Sequence, residues 1–154
     1  MPAQFTEYLL TLAMGLVMLA SITIAFQGMY ENVEVEVIQQ ELDALTQRVS
    51  QYVFEVYVLG QEAEGAVDWR IEIQVELPSD IGGHFFQIEV VDSTEDQHPD
   101  SIRGFLLTKS EISAQVDLRP IADQIQIHGG FQSIHKRHIL RYYPKEAILE
   151  LIDR

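Results

Sequence analysis

From Tyr8 to Phe26 the chain reads YLLTLAMGLVMLASITIAF, and uncharged residues continue to Tyr30. At ~1.5 Å per residue, a helix of about 20 apolar residues crosses the ~30 Å hydrocarbon core of a bilayer. Thr11, Ser21 and Thr23 interrupt the run, but a helix can take their hydroxyls back onto its own carbonyls, so they cost little in lipid. A cleaved signal sequence pairs a basic start with a shorter apolar core. MPAQFTE has no Lys or Arg, and this run is too long. The pattern predicts a retained helix, held in a membrane or in the core of a filament.

The helical pattern does not stop at Phe26. No proline occurs between Pro2 and Pro78. Val35, Ile38, Leu42, Leu45, Val49, Tyr52, Val56 and Leu59 recur in alternating steps of three and four, with Glu34, Glu36, Gln40, Glu41, Asp43, Gln47 and Arg48 on the other faces. That heptad stripe is a helix-packing surface, and it suits two partners equally: the helix's own domain, or the helix of a neighbouring copy. Val33, Val35 and Val37 also alternate with Glu34 and Glu36 as a short strand would, which marks the place where the helix could be interrupted. Unbroken, residues 6 to 59 would make a rod of about 80 Å.

After the glycine-bounded GQEAEG (60–65), a plausible helix stop, the period changes to two. Val67, Trp69, Ile71, Ile73, Val75 and Leu77 alternate with Asp68, Arg70, Glu72, Gln74 and Glu76, which predicts a strand with one wet face. PSDIGG (78–83) makes a turn, residues 84–92 a second strand, and 93–101 a solvated loop. Short β-like runs follow at 102–108, 112–118 and 121–128. Gly129 and Gly130 mark another turn, and residues 131–143 look extended. After Pro144, KEAILELIDR suits either a helix or a last strand. The expected class is α+β, with a long N-terminal hydrophobic and amphipathic helix (1–59), a linker (60–65) and a small antiparallel β-sandwich as head domain (66–154).

Composition narrows the partners. A mean hydropathy of +0.01 averages two unlike parts. The formal net charge is −14, and between Glu31 and Asp100 the only bases are Arg48 and Arg70, against 17 acids. Nucleic acid, which needs clustered Lys and Arg, is not an expected partner. From Ser101 on, bases outnumber acids, and Lys136, Arg137, Arg141, Lys145 and Arg154 fall in the last 19 residues. Such a division suits either head-to-tail contacts between copies or pairing within one domain. With no Lys or Arg flanking the apolar run, the positive-inside rule has little to count; the short tail before it and the acidic bulk after it favour an outside C-terminal domain.

The candidate chemistry is sparse. There is no cysteine, so thiol catalysis and disulfides are excluded, and Asn32 is followed by Val33 and Glu34, which leaves no glycosylation acceptor. His128, His135 and His138 match no metal-ligand spacing, and on a strand the last two would face opposite ways. Asp92, Glu95, Asp96 and Asp100 lack the pattern of a calcium loop. No nucleophile elbow or phosphate loop is present. No catalytic activity, metal, cofactor or small-molecule substrate is expected.

The N-terminus carries one further signal. A charge-poor start, the lone acid Glu7 within Phe5-Thr6-Glu7-Tyr8-Leu9-Leu10, an apolar run, an amphipathic continuation and then a β-domain: this layout resembles type IV pilin-like proteins, most closely the archaeal branch of flagellins and their accessory proteins. The resemblance implies that Glu7, beside Phe5, pairs with a neighbouring subunit's N-terminal amine. Physics agrees with that role, since an acid beside lipid is costly unless paired. The likeness covers about the first 59 residues by pattern, and the head by architecture. MPAQ departs from the short basic leader of the family's precursors, so processing differs or the chain stays uncleaved as an accessory subunit. The implied function is a structural subunit of a cell-surface filament or its membrane assembly, whose partners are copies of itself or related pilin-like subunits. The alternative is a single-pass anchor whose extracellular β-domain binds an envelope partner.

Overall fold

The computed structural model describes residues 2–62, 70–91, 101–118, 121 and 124–154, with side chains from Phe5 onward. A single helix, α1, runs Pro2–Glu62. The Val33–Val37 alternation does not break it, because each residue there still has its helical carbonyl partner and no proline intervenes. Gly60 does not stop it either. Its missing side chain lets the helix lie against Tyr142, where a Cβ would overlap the ring. The part of the expected linker beyond Glu62 lies outside the described residues.

The chain divides into two compact units, 1–37 and 38–154. In the first, every side chain from Phe5 to Val37 is exposed. Thr11, Ser21 and Thr23 donate their hydroxyls to the carbonyls of Glu7, Val17 and Leu19 at 2.8–2.9 Å, so no hydroxyl in the apolar run is left seeking water.

The second unit contains the rest of α1 and seven strands: β1 (Ile71–Val75), β2 (Phe86–Val91), β3 (Ser101–Leu106), β4 (Ser113–Asp117), β5 (Gln126–Gln132), β6 (His138–Tyr143) and β7 (Ile148–Asp153). They form one sheet in the order β1-β6-β7-β5-β2-β3-β4, antiparallel except for β5 beside β7. The α+β class holds, but the sandwich is corrected. Among the described residues there is no second sheet facing the first; the helix takes its place as the covering layer.

One local expectation also changes, and one left open between helix and strand is decided. Gly129 and Gly130 lie inside β5 rather than in a turn. Gly129 has φ 95°, and a Cβ there would run into the Leu151 carbonyl oxygen of β7. The kinked strand bonds β7 with its first half and β2 with its second. KEAILELIDR ends as a strand: Leu149 and Leu151 are buried, and Ile148 and Ile152 on the other face are half-buried. A central strand with apolar residues on both faces reads like a helix by periodicity alone.

The helix crosses the sheet from one side to the other. Gln39 Nε2 donates to the Ser113 carbonyl of β4 at 3.0 Å. Leu42 and Thr46 sit over Gly104 of β3, where a Cβ would overlap the Thr46 hydroxyl. Tyr57 meets Tyr142 of β6 edge to face, with ring centroids 6.3 Å apart. Between these contacts Ile38, Leu42, Val49, Val53 and Val56 share one core with Phe86, Ile88, Ile102, Leu106, Phe131, Leu140 and Leu149. Burying such side chains is worth about 1.5–3 kcal/mol each, which makes this stretch of helix the centre of the domain.

Candidate assembly surfaces

The heptad stripe meets its own sheet over part of its length. Ile38, Leu42, Leu45, Val49 and Val56 are buried, Tyr52 is half-buried, and Val35 and Leu59 are exposed. Thr46, Ser50, Val53, Tyr57 and Gly60 complete the buried face. A straight α-helix repeats every 3.6 residues, so a 3.5-residue stripe drifts by about 20° per heptad. From Ile38 the buried positions follow the 3.6 period. Tyr57 could have been found from that drift, since it lies four residues after Val53. Its hydroxyl bonds Gln124 Oε1 and accepts from Gln61 Nε2 at 3.2 Å.

Phe5 and Glu7 lie on the exposed first unit. Around them the large apolar side chains from Tyr8 to Tyr30 are 45–78% exposed. This helix is long and apolar enough to cross a membrane, and none of its most apolar stretch is buried within the chain. Exposing that much apolar surface to water would cost on the order of tens of kcal/mol, more than the stability of an ordinary domain.

On the head, pairing accounts for some of the charge. Glu72 of β1, Arg141 of β6 and Glu150 of β7 are register neighbours on one face. Arg141 Nε lies 2.8 Å from Glu72, and its Nη1 lies 3.9 Å from Glu150. The hydrogen bonds that Arg141 donates, to the Tyr143 hydroxyl and then to Glu72, hold its guanidinium pKa above the ordinary value. A cation whose pKa is raised on folding contributes its stabilisation below the unfolded value, so Arg141 is charged throughout the accessible range. Lys136, Arg137 and Arg154 lie together instead at the ends of β6 and β7, exposed, where the Arg137 and Arg154 backbones bond each other in both directions.

The histidines separate. His128 is exposed on β5. His138 is 4% exposed, packs edge-on to Phe131 and holds Asp153 through Nδ1 at 2.7 Å. The other Asp153 oxygen accepts from the Gln132 amide at 2.7 Å, with His135 Nε2 at 3.9 Å. His135 lies in the turn between β5 and β6 rather than on a strand, so it and His138 reach the same carboxylate despite the expected opposite facing. This is a fold-closing contact at the end of the sheet. Among the described residues no group of three or more acids and histidines is arranged to hold a metal. The acidic run Asp92–Asp100 lies outside the described residues.

A groove of about 610 Å³ opens between the helix (Glu41, Leu45, Arg48) and the β1–β2 connection (Glu76, Leu77, Asp80). Its polar groups are mostly acids with Arg48 among them, and it lacks the paired nucleophile and base that a reaction site needs. The surface feature least visible in the sequence is an apolar row. Leu107 donates its amide to the Phe85 carbonyl at 2.9 Å, and continuing the β2–β5 register sets Ile134 opposite Phe85. All three point away from the core, at 41%, 49% and 58% exposure. The adjacent pair Phe85-Phe86 was the available signal, because on a strand only one of two neighbours can face inward. No family model, curated protein or solved structure matches the chain.

Proposed function

We propose that this chain is a pilin-like structural subunit: its apolar helix packs among copies of itself in a filament core or a membrane assembly, and its β-domain stands outside, toward the extracellular side. The role is anchoring and assembly, not catalysis. One observation carries the reading: a single helix is wholly exposed and apolar over its first part, yet forms the centre of a folded domain over its last. A helix that only anchored its domain could end in a linker. Here the apolar stretch and the stretch that fills the domain core belong to one helix, Pro2–Glu62.

Glu7 supports the same reading. It is the one acid before Glu31 and precedes the apolar run. Burying an unpaired carboxylate beside apolar helices is costly, and a neighbour's N-terminal amine would relieve that cost. Electron microscopy of the intact, detergent-extracted protein after detergent removal tests this. Regular filaments that disappear in Glu7→Ala are the expected result. Discrete particles indifferent to Glu7→Ala would instead support the alternative, a single-pass accessory anchor whose head binds an envelope partner.

A further inference from the structure

The row of Ile134, Phe85 and Leu107 has a charged rim. Lys109 follows Leu107 in the β3–β4 turn, and Lys136 and Arg137 follow Ile134 in the β5–β6 turn, all at the same end of the sheet. The nearby acids are mostly engaged. Asp80 accepts from the Gly83 amide, and Asp153 is held by His138 and Gln132, which leaves Glu111. An exposed apolar centre with a cationic rim is the anatomy of a contact surface.

The chain also carries the complementary partner. Just past the apolar run, Tyr30, Val33 and Val37 fall on one face of α1 by their three- and four-residue spacing, at 78%, 58% and 48% exposure. Around them stand Glu31, Glu34 and Glu36, with no base among them. We infer that the Phe85–Leu107–Ile134 patch of one copy docks on the Tyr30–Val37 stretch of α1 of a second copy, with the lysines and arginine of the rim facing the glutamates. Patch and partner are different surfaces, so the contact is head-to-tail and repeats along an assembly. It rests on the proposed self-assembly and specifies which surfaces meet.

The test uses full-length protein, with light and heavy isotopic forms mixed before assembly and then joined by a zero-length amine–carboxylate cross-linker. The expected product is a mixed-isotope link from Lys136 or Lys109 to Glu31, Glu34 or Glu36. Ile134→Asp, and Lys136→Glu with Arg137→Glu, should each lower the sedimenting polymer at least about tenfold. Adding Glu31→Lys and Glu34→Lys to the reversed-rim chain should restore it. Polymers that form, ignore all these changes and yield no such link would overturn this contact and leave the pilin-like reading intact. Wild-type protein that never polymerises would overturn both.

Discussion

Gly104 and Thr46 make the tightest crossing of helix and sheet. A Cβ at Gly104 would overlap the Thr46 hydroxyl and come within 3.3 Å of Leu42 Cδ1, so Gly104→Ala should cost about 1–3 kcal/mol through forced displacement. Thr46→Ala removes the obstructing oxygen, and among the described residues Thr46 bonds only its own helix, at Leu42 O, 2.8 Å away. The double variant should therefore be more stable than the sum of the two single effects, as read from denaturation midpoints in detergent. Asp153→Ala should also cost about 1–3 kcal/mol, because it leaves the buried His138 ring and the Gln132 amide without their acceptor. Asp153→Asn keeps one accepting oxygen and should cost less. Neither contact was legible in the sequence. Gly104 stands in a run of apolar and polar letters with no turn signal, and His138 finds Asp153 only through the β6–β7 register.

At the scale of elements, two kinds of signal behaved differently. The helix was legible because its apolar letters hold one periodicity over many turns without proline. The partner of its stripe was not, since a 3.5 and a 3.6 repeat share most positions over three heptads and diverge only at the ends. That divergence is measurable. Leu42→Ala, at a site with no exposure, should cost about 2–5 kcal/mol of head-domain stability, while Val35→Ala should change it by less than about 0.5 kcal/mol. Equal and large effects at both positions would mean that the outer stripe is packed against another helix. Strand positions were readable wherever one face is wet, as in β1 and β2. They blurred in β7, where neighbours on both sides and apolar residues on both faces erase the alternation. The count of short strands suggested two sheets. A helix already carrying an apolar face removes the need for the second.

For the molecule as a whole, charge and hydropathy fix what must be covered. The glutamates after the apolar run are exposed, and so is the basic corner at Lys136, Arg137 and Arg154, while Arg141 is absorbed by Glu72 and Glu150. Salt should therefore weaken assembly through the exposed charges and spare the head's own fold, because exposed pairs are screened at separations near a Debye length of about 8–10 Å. Sedimentation and circular dichroism across the same salt series check this together. Polymer loss without loss of β-signal is the expected pattern.

Because the sequence has no cysteine, a single introduced thiol can report whether Phe5–Tyr30 is covered by copies of itself or by lipid. A spin label on Leu16→Cys, in intact protein reconstituted from detergent, reports both its surroundings and its distance from labels on neighbouring copies. The expected site is accessible to oxygen but closed to a water-soluble relaxation agent, with neighbouring labels within about 20 Å, roughly two helix diameters. A label freely relaxed by the water-soluble agent, on chains with no neighbour in range, would contradict it.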